Sequence, residues 1–128
     1  CGIEVPPHRI VRSGLQESDA RSQTAERLAS DPSIDGIFAA CGPLTSAAFL
    51  AAQDCGRELS TDTLLVGVDD DHWTHMVSPK VTVVAQPVAQ IGHWAGQLLL
   101  SRARDEKLDY ASINLTPILR VRESSVRP

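Results

Sequence analysis

Leu64-Leu65-Val66-Gly67-Val68, running straight into Asp69-Asp70-Asp71, is the stretch that decides the fold. Five apolar residues with no polar alternation suit a strand buried on both faces, as in parallel sheets sandwiched by helices. Outward from it the pattern repeats. Ile34 to Ala40, holding Ile37 and Phe38, and Val81 to Ala85, with four β-branched residues in succession, are two further runs of strand length. Helical periodicity fills the gaps. Gly42-Pro43 opens a helix to about Cys55 with Leu44, Ala47, Ala48, Ala51 and Ala52 at helical spacing, and Gly56 suits its exit. Ser18 is a candidate N-cap for a helix to about Ser30, which Asp31-Pro32-Ser33 breaks. Pro87 opens the longest helix, to about Arg104, with Val88, Ile91, Ala95, Leu98 and Leu99 on its inner face, and the charged stretch from Arg102 to Lys107 ends it. Arg9 to Arg12 and Ile113 to Val121 read as short strands, and His72 to Met76 as a helical turn. The class is α/β: a Rossmann-like parallel sheet with helices on both faces.

Composition narrows the function. At 128 residues the chain is one domain or part of one. A formal charge of -4 with scattered Lys and Arg offers no clustered basic face for phosphates, so this piece does not grip nucleic acid by itself. No apolar run is long enough to span a membrane. Cys1, Cys41 and Cys55 have neither metal spacing nor an even framework, which fits reduced thiols in cytoplasm. Cys1-Gly2 could begin a processed lipoprotein, but Gly2 to Pro7 reads better as the exit from an upstream helix, so a truncated start is expected.

In an open parallel sheet, ligands sit beyond the carboxyl ends of the strands. That rule selects Ser13-Gly14-Leu15, Cys41-Gly42-Pro43 and Asp69-Asp70-Asp71. Carboxylates at such an edge can accept hydrogen bonds from paired hydroxyls, the way a sugar is commonly held. The plainer alternative is that Asp70 or Asp71 caps the following turn. His72 and His75 could join the carboxylates at a metal, but three adjacent Asp side chains cannot converge, so no metal is expected. Cys41 lacks an identifiable base or oxyanion site, and no catalytic residue is assigned. Neither glycine-rich phosphate pattern is present, and no cofactor is expected. Trp73 and Trp94 could stack on a sugar ring, though Trp94 adjoins Ile91 and Leu98 and suits packing better. His8 and His93 are isolated surface residues.

Val66-Gly67-Val68-Asp69-Asp70, then Ser78-Pro79-Lys80-Val81-Thr82-Val83-Val84-Ala85-Gln86-Pro87, then Pro117-Ile118-Leu119-Arg120-Val121-Arg122-Glu123-Ser124-Ser125, resemble in that order the lactose/galactose-repressor (LacI/GalR-type) family of bacterial transcription regulators. The resemblance implies one lobe of a periplasmic-binding-protein-like sensor that binds a small molecule, a sugar or similar metabolite. Residues 1–86 would belong to the C-terminal lobe, 87–116 would cross to the other lobe, and 117–128 would return. The DNA-binding domain would lie upstream, so operator DNA would be reached only through it. Asp69 matches a residue that binds effector hydroxyls, and Asp70 follows it at the same edge. Leu15 stands where an aromatic often stacks on the effector. Cys41 and Gly42 replace the usual Asn-Asp or Ser-Asp, which points to a less polar or differently placed ligand. Ser46, Met76 and Val77 match positions packed across a homodimer interface, although Met76 and Val77 could also be core. The second reading is a periplasmic sugar-binding protein of a transport system.

Overall fold

The computed structural model describes residue 2, residues 4–104 and residues 112–128. Cys1 and the end of the charged stretch that closes the longest helix lie outside them. Among the described residues, three helices and four strands follow in the order α1 (Glu17–Ser30), β1 (Gly36–Phe38), α2 (Gly42–Asp54), β2 (Leu64–Val68), β3 (Thr82–Ala85), α3 (Val88–Ala103) and β4 (Ile118–Arg120), with short 3-10 turns at Pro7–Arg9, His72–His75 and Glu123–Ser125.

The sheet order is β1-β2-β3-β4. The first three strands are parallel, with Ile37 beside Leu65 and Gly67 beside Val83. β4 departs from the expected all-parallel sheet: it runs antiparallel to β3, with Leu119 beside Val84. An apolar run carries no mark of its direction, so only the return path of the chain fixes this. Arg9 to Arg12 is not a strand. Pro7 starts a 3-10 turn in which the Arg9 and Ile10 amides bond back to the Pro6 and Pro7 carbonyls, so those amides are spent locally. Beside β1 this leaves an apolar cavity of ≈ 620 Å³ lined by Val5, Ile10, Phe38 and Leu44 among others. The first helix begins at Glu17 with Gln16 as N-cap, ahead of the expected Ser18.

Leu28 of α1, Ala48, Phe49 and Ala52 of α2, and Leu65 and Val83 of the sheet make the core. α2 lies close on β2 because of Gly67: a Cβ there would fall 2.2 Å from Thr45 Cγ2. Thr45, fully buried, satisfies its hydroxyl by donating to the Cys41 carbonyl at 2.8 Å and accepting from the Val68 amide at 3.3 Å. The opposite sheet face is less covered than a helix-backed sheet requires. Phe38, paired with Val66 on that face, is 66% exposed, and no described helix packs closely there.

The chain's end is stitched into the sheet by hydroxyls. Ser124, fully buried, donates to the Leu65 carbonyl at 2.6 Å and accepts from the Thr82 amide at 2.9 Å. Thr82 Oγ1 accepts from the Arg122 amide at 2.7 Å and lies 2.7 Å from Ser125 Oγ. These bonds give the Arg-Glu-Ser-Ser segment a structural purpose, since they satisfy buried polar groups that would otherwise each cost about 1–3 kcal/mol.

Candidate ligand site at the carboxyl edge of the sheet

β1 and β2 deliver their ends to one rim, and β3 ends beside them. Asp69 stands one residue beyond β2, and its amide extends the ladder by donating to the Val84 carbonyl at 3.0 Å. Its φ of 74° lies in the left-handed region, rare for a residue with a side chain. The carboxylate is braced from both sides. Oδ2 accepts the Gly42 amide at 3.1 Å, at the N-terminus of α2, and Oδ1 accepts the Gln86 side-chain amide at 2.7 Å. Each carboxylate oxygen has a second lone pair, so the group can still take hydroxyl donors from a ligand.

Gly42 is buried, and its missing side chain has a local cause. A Cβ at that position would lie 3.0 Å from Asp71 Oδ2 and 3.5 Å from Asp69 Oδ2. A carboxylate at this position would crowd two others. Glycine instead lets the amide reach Asp69, and the positive end of α2 favours the charge. Sequence reasoning selected Asp69 and Gly42, kept Asp71 open as either a ligand contact or a cap, and missed Gln86. The signal for Gln86 was available: it is one residue past β3, just as Asp69 is one past β2.

Asp70 turns elsewhere. Its carboxylate forms ion pairs with Arg120 at 2.9 Å and with Arg122 at 2.5 Å, and it accepts from Thr74 Oγ1. Burial by itself would raise the Asp70 carboxyl, but the Arg122 hydrogen bond and charge, with Thr74 and Arg120, hold it below the usual carboxylate range. The structure therefore commits Asp70 to fastening the chain's end to the strand rim and does not bring it into the Asp69 group.

The remaining sequence-selected residues fall in separate places. Cys41 is a half-buried free thiol whose carbonyl is taken by Thr45. Leu15, 74% exposed, projects to solvent before α1 and does not follow a strand. Ser46 donates to Glu17 across the α1–α2 seam at 2.6 Å, while Met76 is 78% exposed and Val77 packs on the core. Trp73 stands edge-to-face on Phe49 at 5.6 Å, which makes it a core residue. The rings of His72 and His75 meet at 5.6 Å, and among the described residues no group of three or more His, Cys, Asp or Glu could hold a metal ion. No described helix is long and apolar enough to cross a membrane.

The profile of a family described as the periplasmic binding protein-like domain matches residues 2–125. The ribose operon repressor of Halalkalibacterium halodurans is 29% identical over 116 residues, which are 91% of this chain and 35% of the repressor. A solved complex of the transcriptional regulator CelR with cellobiose superposes with a TM-score of 0.88 at 27% identity, covering 97% of this chain and 38% of that one. A LacI family transcriptional regulator from Arthrobacter sp. FB24, in complex with lactose, gives a TM-score of 0.74 at 25% identity, over 86% of this chain and 41% of that one. The chain thus spans little more than a third of the length of the curated repressor it matches.

Proposed function

Since the chain belongs to the periplasmic binding protein-like domain family, we propose that it is the effector-sensing part of a repressor-type transcription regulator and performs no catalysis. The observation that carries this reading is Asp69, held at a positive φ at the strand rim with both oxygens braced and both open to a further donor. Backbone strain of this kind concentrates at functional sites, where the surroundings hold it in place. A vicinal diol fits the pair of oxygens, so the effector class is a sugar or similar polyol. The Asp71 carboxylate near Gly42 adds acceptors to the same rim.

Residues 1–86 serve as one lobe, 87–116 cross to a second lobe outside this chain, and 117–128 return. The uncovered apolar side chains of α3, with Val88 74% and Leu99 69% exposed, support that crossing. Ser46 and the exposed Met76 lie at the seam of a homodimer, with Val77 packed on the core behind them, and a helix-turn-helix elsewhere in the longer cytoplasmic protein reads operator DNA. Ligand binding shifts the balance between two lobe arrangements, which the DNA-binding part senses. The regulators and repressor found among its relatives favour this reading over a transport component.

The test is calorimetry on the full-length protein with ribose, lactose and cellobiose, repeated for Asp69→Ala. Binding of a sugar that Asp69→Ala abolishes, with weakened or strengthened operator binding in gel-shift assays, is the expected result. An unchanged affinity in the variant would make Asp69 structural and overturn the reading.

A further inference from the structure

From the bond between Asp69 and Gln86 we infer that Gln86 is a positioning residue: it holds the Asp69 carboxylate for the effector and ties the state of that carboxylate to the start of α3. The inference rests on the effector reading above for the role of Asp69. Gln86 is the first residue after β3, and the ladder bond from the Asp69 amide to Val84 keeps the ends of β2 and β3 side by side. From that position its Nε2 donates to Asp69 Oδ1 at 2.7 Å, a short charge-assisted bond.

The same residue begins the path into α3. Its carbonyl accepts the Val88 amide at 2.9 Å, and the Pro87 carbonyl accepts the Ile91 amide at 3.0 Å. Pro87, the N-cap of α3, makes no side-chain cap bond. No other described element packs closely on α3. The Gln86 side chain is therefore a point where the root of this helix is fastened to the lobe. A ligand hydroxyl arriving at Oδ1 must share or displace the Gln86 amide, and either change is felt one residue before the helix begins.

Amide hydrogen exchange on the ligand-free full-length protein tests this directly. Gln86→Ala should speed exchange at Val88 and Ile91 by about tenfold, the scale expected for losing one hydrogen bond to a charged group. Leu65, in the core, should stay within about twofold. Gln86→Glu, which keeps the length but loses the donor, should match or exceed the Ala variant. Asp69→Ala should give the same acceleration at Val88 and Ile91, and the double variant should add nothing to it. Unchanged rates at Val88 and Ile91, additive effects in the double variant, or an equal rise at Leu65 would each overturn the proposal. This arm uses no sugar, so its failure counts against Gln86 alone. Failure of the wild-type protein to bind ribose, lactose or cellobiose counts against the effector reading alone.

Discussion

α2 and α3 are built from the same kind of sequence and meet opposite fates. Each starts beside a proline, carries small residues, and repeats apolar side chains at helical spacing. In α2 that face closes: Ala47, Ala51 and Ala52 are fully buried, and Gly67 lets the helix settle against β2. In α3 the equivalent side chains, Val88, Ile91, Leu99 and Leu100, remain exposed. Periodicity announces that a face is meant to be covered, but it does not say by what. For α2 the cover is in this chain; for α3 the proposed second lobe supplies it.

The largest effect should come from the closed side. Leu65 is fully buried beneath α2, so Leu65→Ala should lower unfolding free energy by about 2–5 kcal/mol in denaturant titrations. Gly67→Val attacks the same contact by overfilling it, since its Cβ would collide with Thr45. A cost of about 1–3 kcal/mol or more is expected. A loss below about 0.5 kcal/mol for both would mean that α2 is no better docked than α3.

Next in size is the clamp on the chain's end. Asp70→Ala leaves Arg122, whose side chain is 16% exposed, without its carboxylate, although Thr74 and the Val81 carbonyl still accept from it. The site lies between a surface pair and a buried one, and a loss of about 1–3 kcal/mol follows. The pH dependence has a definite sign. Because the folded-state Asp70 carboxyl is held low, its stabilisation is fully present above the unfolded value of about 3.9 and is lost as pH falls through the folded value. The stability gap between wild type and Asp70→Asn should therefore be constant near neutrality and shrink as the solution is acidified below about pH 4. A gap that widens on acidification would refute the pairing.

Much of this was legible in the sequence, for physical reasons. The apolar runs at residues 34–40, 64–68 and 81–85 located the three parallel strands by their length and composition, although only β3 is buried along most of its length and Phe38 of β1 stays exposed. Asp69 was legible because the strand-end rule needs no side-chain geometry. What escaped depended on direction or on distant partners. The antiparallel sense of β4 is set by the return path, and the unpaired state of Arg9 to Arg12 by a proline turn that consumes its first two amides. Asp70 read like its neighbour Asp69, yet its carboxylate is claimed by Arg122, 52 residues away in sequence. Gln86 was open to the same strand-end rule, but its partner, Asp69, is set by the register that places β3 beside β2.

The smallest expected effect gives the comparison its sharpest edge. Val88→Gln and Leu99→Gln replace exposed apolar side chains on α3, and glutamine keeps good helix propensity. In the 128-residue chain each should change stability by no more than about 0.5 kcal/mol, because almost no buried area is lost. The pair should reduce self-association in sedimentation runs at high concentration, since it breaks up an apolar surface. In the longer protein, where the second lobe would cover this face, the same pair should cost about 1–3 kcal/mol, for polar amides would then be buried without partners. Equal and negligible costs in both settings would show that α3 stays uncovered in the longer protein, and the difference between the two helices would need another cause.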